Sequence, residues 1–291
     1  MTRWLVFMLL SLCAPGCLPG DTRPEPGNVL TTVTGSQATR EGFTSADGWT
    51  VRFERVLLGA GPMQLGDDCQ KYAEYSEPGY DRVLQLTGPP AQKLGIMFGL
   101  GRCDIDFQLS PPSEDAVLGS GVTQADKAYM RTPGSDMYVA NDGVVLHVEG
   151  SAIQAARTLR FAWDLRQSLF FRECSVIIDG VTEPGLDLRG GVGLTYDLLI
   201  ETEGLFRDDF DRDAALRFES FADADARGDG DSNVTLEELG LVALSDLQAL
   251  GPYGGAGNGV ATLADYLYRV LWPTLLRYRD TGRCRVSLHE D

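Results

Sequence analysis

Leu159-Arg160-Phe161-Ala162-Trp163-Asp164-Leu165-Arg166 places a large apolar side chain at every second position. A period of two puts Leu159, Phe161, Trp163 and Leu165 on one face of an extended strand, whereas a helix would scatter them around its axis. The same alternation returns in Ile105, Phe107 and Leu109, and in Val192, Leu194, Tyr196, Leu198 and Ile200. Residues 50–58, 82–87, 94–100, 144–149 and 174–178 read as further strands. Turn-forming clusters separate them: Gly88-Pro89-Pro90, Pro111-Pro112, Pro133-Gly134, Asn141-Asp142-Gly143 and Pro184-Gly185. Short strands punctuated in this way predict an antiparallel β-sandwich or barrel-like domain over residues 47–207. The span 110–138 has no such pattern and reads as a long loop.

After residue 207 the period changes. Leu263, Tyr266, Leu267, Val270, Leu271 and Leu275 fall on one helical face. Thr262 is placed to cap that helix, and Pro273 is expected to kink or break it. The chain as a whole is therefore expected to be α+β, with a small helical region over 208–291.

Within that region lies FADADARGDGDSNVTLEEL, residues 221–239. Hard cations need several oxygen ligands, and closely spaced carboxylates in a tight turn supply them. The stretch resembles the loop of an EF-hand. With Val234 at the apolar eighth position, the resemblance implies Asp229, Asp231, the carbonyl of Asn233 and Glu238 as ligands, and Ca2+ as the ion. Arg227 and Ser232 then stand at the first and sixth positions, where the family has a carboxylate and a glycine. Asp225 takes the first place if the loop carries a two-residue insertion. The competing reading is a capped helix without an ion, because Thr235 and Glu238 also make a capping box. A weaker echo at residues 254–265 aligns Asn258, Gly259 and Asp265. It reads either as a degenerate loop pairing with the first or as a glycine-rich linker before a capped helix.

The beginning of the chain addresses it. Trp4 to Leu12 is an apolar run after Arg3, too short to span a bilayer and suited to a signal peptide over residues 1–16. Ala14-Pro15-Gly16-Cys17 resembles the lipobox of bacterial lipoproteins, although Pro15 replaces a small residue and the expected leucine lies displaced at Leu12. The resemblance implies lipid on Cys17, a membrane anchor in the cell envelope, and, since Leu18 is not Asp, the outer membrane. An ordinary secretory signal is the alternative. Residues 17–46, rich in Pro, Gly, Thr and Ser, read as a flexible tether. Cys69, Cys103, Cys174 and Cys284 in an exported chain imply two disulfides, and Cys69–Cys103 with Cys174–Cys284 is the favoured of three pairings.

The net charge is −17, which argues against nucleic acid, whose binding wants a basic face. Only His147 and His289 occur, and no nucleophile elbow, phosphate-binding glycine loop or zinc-binding histidine pair is present. His147 reads as a packed or surface histidine, and Trp49 and Trp163 as core. The expected function is a non-catalytic, lipid-anchored binding or scaffolding module with a structural calcium site; the protein or glycan it would bind is not readable. One alternative is a glycan- or peptide-binding sandwich with a metal-free helical cap. Another is a carboxylate-dependent hydrolase built on acid pairs such as Asp104/Asp106 or Asp208/Asp209.

Overall fold

A computed structural model describes residues 24–66, 69–71, 81–135, 139, 142–249, 253 and 259–288. In chain order the elements are β1 (Gly27–Gly35), α1 (Gln37–Glu41), β2 (Phe43–Thr44), β3 (Thr50–Leu65), β4 (Gln70–Lys71), β5 (Arg82–Gln85), β6 (Gln92–Cys103), β7 (Ile105–Leu109) and β8 (Val117–Leu118). Then come α2 (Gln124–Met130), β9 (Leu146–Gln154), β10 (Arg157–Leu165), β11 (Leu169–Ile178), β12 (Val181–Pro184), β13 (Leu186–Leu188) and β14 (Gly193–Ile200). The chain ends with α3 (Glu219–Arg227), β15 (Asn233–Val234), α4 (Leu236–Leu239), α5 (Leu263–Tyr266), β16 (Leu276–Tyr278) and β17 (Arg283–Ser287).

These strands make two sheets. The smaller runs β13-β6-β1-β14-β16, with β4 beside β6. The larger runs β12-β11-β7-β3-β9-β10-β15, with β17 on β11, β2 and β5 on β3, and β8 on β5. The architecture is thus mostly β and sandwich-like, as the alternating segments predict. Pairing is not purely antiparallel, because β1 lies parallel to β14 over eight register pairs. Adjacent parallel strands cannot be joined by a hairpin, and the long connection between β1 and β14 permits this pairing.

Both sheets face one core. Val29 and Val33 from β1, Leu198 and Ile200 from β14, and Phe161, Trp163 and Leu165 from β10 all belong to it. Trp49 and Trp163 are fully buried, as expected. Five residues, Leu57, Val83, Ala116, Met130 and Val144, form a separate small cluster. It lies beneath the 110–138 span, which is not a plain loop: it carries β8 and α2, whose capping box joins Thr123 and Asp126.

Two expected boundaries are corrected. The predicted tether, residues 17–46, folds from Gly27 onward, with β1 between β6 and β14. Its Thr and Val residues are β-branched and fit a pleated, buried surface, and Val29, Thr31, Thr32 and Val33 are all buried. The 208–291 region is not a separate helical unit. β15, β16 and β17 enter the sheets, and Phe218, Phe221, Leu263, Trp272 and Tyr278 share the main core. Pro273 acts as predicted. After α5 the helix widens to a π turn over Leu267–Leu271, tightens to a 3-10 turn over Trp272–Thr274, and gives way to β16.

Cys69 pairs with Cys103 and Cys174 with Cys284. The second bond ties β17 to β11. Among the described residues no helix is long and apolar enough to cross a membrane. The signal-peptide stretch and Cys17 lie outside the described residues.

Candidate metal centre

The acidic loop is held at both ends by the larger sheet. α3 carries Phe218, Phe221, Ala222 and Ala224 into the core, and Phe221 stacks on Trp163 with centroids 5.5 Å apart. Its first turn has no local side-chain cap. Asp47 supplies one from far away in sequence, accepting from Phe218 N at 2.9 Å and Glu219 N at 2.8 Å through Oδ2. A carboxylate at the positive end of a helix both satisfies free N–H groups and opposes the dipole. Past the loop, β15 pairs in parallel with Arg160 and Phe161 of β10, and Trp163 Nε1 donates to Val234 O at 2.9 Å.

Between these anchors the chain turns sharply. Gly230 (φ 67°) and Ser232 (φ 72°) adopt left-handed conformations, which Gly accepts without the steric penalty Ser bears. A Cβ on Gly228 would collide with the Glu238 carboxylate. Carboxylates organise the loop's N–H groups. Asp225 Oδ1 accepts from Ser232 N at 2.9 Å, Asp229 Oδ1 from Asp231 N at 3.1 Å, and Asp231 Oδ1 from Asn233 N at 2.8 Å.

Asp225, Asp229 and Asp231 each bring an oxygen within 4.8 Å of the others. Asp225 is 7% exposed, the other two are open to solvent. The remaining two sequence candidates stand beside this group and not in it. Asn233 begins β15 with its residue exposed. Glu238 closes the capping box, Oε2 accepting from Thr235 N at 2.8 Å and Oγ1 at 3.0 Å, while Oε1 accepts from Asp229 N at 3.3 Å. The capping box therefore forms as its spacing implies, and Glu238 also borders the cluster. Burial raises the Asp225 pKa; the Ser232 N–H opposes this, and the charges of Glu238, Asp231 and Asp229 raise it further. An all-oxygen donor set of this kind fits a hard divalent cation. Arg227 does not enter the loop; it pairs with Asp223 and Asp246, each at 2.8 Å.

Among the described residues of the downstream echo, none pairs with the first loop. Thr262 bridges to Ala243, and its capping box with Asp265 is complete; Asn258 lies outside the described residues. The first loop pairs with β10 through Asn233 and Val234.

Two other clusters were not legible as sites. His147, 5% exposed, lies between Asp164 (Nδ1 to Oδ1, 2.7 Å) and Glu149 (Nε2 to Oε1, 2.9 Å), with Tyr129 OH donating to Asp164 Oδ2 at 2.9 Å. Two carboxylates can both accept only from an imidazolium. Burial lowers the His147 pKa, but the hydrogen bonds and charges of Asp164 and Glu149 outweigh it and leave the value raised above 6.5. A raised folded pKa stabilises fully below the unfolded value and is lost as pH rises through the folded one. Urea-unfolding stability is therefore expected to fall as pH climbs past 6.5, and His147→Gln should remove that component of the slope; an unchanged slope would contradict the bridge.

The second is Glu201, at the end of β14, which accepts from Arg207 Nη2 at 2.7 Å, Arg212 Nε at 2.8 Å and Arg277 Nε at 3.2 Å. Burial alone would raise Glu201; the three arginines, Arg207 foremost, hold it below its ordinary value. Of the acid pairs read from sequence, Asp208 is buried against Arg217 at 2.5 Å, and Asp209 accepts from Phe210 N.

Compared with models of protein families, with curated proteins and with solved structures, the chain finds no match.

Proposed function

We propose that the protein is a non-catalytic, lipid-anchored module of the bacterial cell envelope, in which calcium in the 225–238 loop fixes the helical segment to the β-sheet. The carrying observation is the convergence of Asp225, Asp229 and Asp231 on a loop whose two ends are both sheet-bound. At neutral pH the three like charges repel, and a divalent cation would turn that repulsion into a tie between α3 and β15. Oxygens of Glu238 and loop carbonyls complete the coordination, with calcium preferred because its shell of 6–8 oxygens tolerates irregular geometry better than the octahedron of magnesium. The lipobox-like Ala14-Pro15-Gly16-Cys17 supports attachment through lipid on Cys17, and Leu18 supports the outer membrane. Two lipid chains anchor far more firmly than one. The β-sheets then act as the binding or scaffolding surface.

Two measurements test this reading separately. Mass spectrometry of the membrane fraction should find a mature N-terminus beginning at acylated Cys17; an unmodified one rules out the anchor. Equilibrium dialysis should find one calcium per chain in the wild type and weaker binding in Glu238→Gln. Equal binding by that variant would remove Glu238 from the ligand set.

A further inference from the structure

Glu201 does not balance the cations around it. Arg207 and Arg277 are each 4% exposed, and both place one donor on the same Glu201 Oε2. Arg207 Nε and Nη1 and Arg277 Nη2 are buried without a hydrogen-bond partner. Buried donors on a charged group are costly to leave unpaired, because they have lost water and gained nothing in return. Three guanidinium groups thus share the one carboxylate of Glu201.

Arg277 also lines a cavity of about 130 Å³ between β11, β17 and the turn at Pro273. Arg283 lines it too, near enough that its charge helps depress Arg277. The rest of the lining is mostly apolar, with Phe171, Phe210, Pro273, Leu276 and Val286 beside Thr274 and Cys284. An apolar cavity of roughly 150 Å³ takes a benzene-sized molecule. Two arginines among mostly apolar lining residues suit a ligand with a small anionic head and an apolar body. Inorganic phosphate would meet the apolar part of the lining, and a neutral aromatic would leave the charges of Arg277 and Arg283 without a counter-ion.

We propose that this cavity binds a small organic monocarboxylate, its apolar body against Phe171 and Phe210 and its carboxylate at Arg277 and Arg283. Calorimetric titration of the full chain with sodium benzoate tests it, with benzyl alcohol and inorganic phosphate as comparison ligands. Benzoate is expected to bind one to one, and both comparison ligands about tenfold more weakly or less. Arg283→Ala, at an exposed position, should weaken benzoate by about tenfold. Val286→Phe should abolish binding by filling the cavity, with the far-ultraviolet dichroism of both variants unchanged. Absence of benzoate binding, phosphate binding as tight as benzoate, or full affinity in both folded variants would each overturn the proposal.

Discussion

Glu201→Gln should lower the unfolding free energy by about 3–5 kcal/mol, the cost typical of breaking a buried ion pair from one side. The carboxylate holds three guanidinium groups, two of them almost wholly buried. Glutamine keeps the shape but removes the charge, and its amide donors would face arginine donors. Nothing among the described contacts of Arg207 replaces the lost acceptor. Urea unfolding at neutral pH measures the effect. A loss below about 1 kcal/mol would place the pair in the range of solvated surface bridges and contradict its structural role. The double variant Glu201→Gln/Arg277→Met should recover part of the loss, since it removes one of the stranded cations.

Phe206→Ala is the second large effect, also about 3–5 kcal/mol. Phe206 ends the 3-10 turn Thr202–Phe206 and is fully buried. Its ring lies 5.0 Å from Phe221 and 5.6 Å from Phe161, Trp163 and Phe218, with Phe43 at 5.7 Å and Phe53 at 6.1 Å. It therefore joins β2, β3 and β10 to α3. Because these elements share one core, near- and far-ultraviolet dichroism should lose signal in one coincident transition, moved to lower urea in the variant. Two separated transitions in the wild type would show that the region after residue 207 folds by itself.

Local periodicity carried much of this fold. Alternation in Leu159–Arg166 and 192–200 located strands because side chains on a half-buried sheet repeat every second residue. Thr235 and Glu238 announced a helix start because a capping box spans only four residues. The strand Gly27–Gly35 was masked by the prolines and glycines around it, although Thr31-Thr32-Val33-Thr34 has strong β character. β16 was hidden for a different reason: Leu276, Arg277 and Tyr278 are all buried, so no alternation survives. The candidate site was legible in part. Asp225, Asp229 and Asp231 converge where spacing placed them, whereas the Asp47 cap on α3 and the Arg277–Glu201 contact join residues 172 and 76 positions apart, beyond any local pattern.

Thermal melting of wild type and Asp225→Asn, each with and without calcium, tests the central claim most directly. Without calcium, Asp225→Asn should be at least as stable as the wild type, because asparagine keeps an acceptor for Ser232 N and removes a charge that burial and three neighbouring acids disfavour. With calcium about a hundredfold above its Kd, the wild type should gain about 2.7 kcal/mol, or roughly 5–10 °C. The variant should gain far less, so the order of stability reverses. Equal gains in both proteins, or no gain in the wild type, would contradict a calcium tie at Asp225.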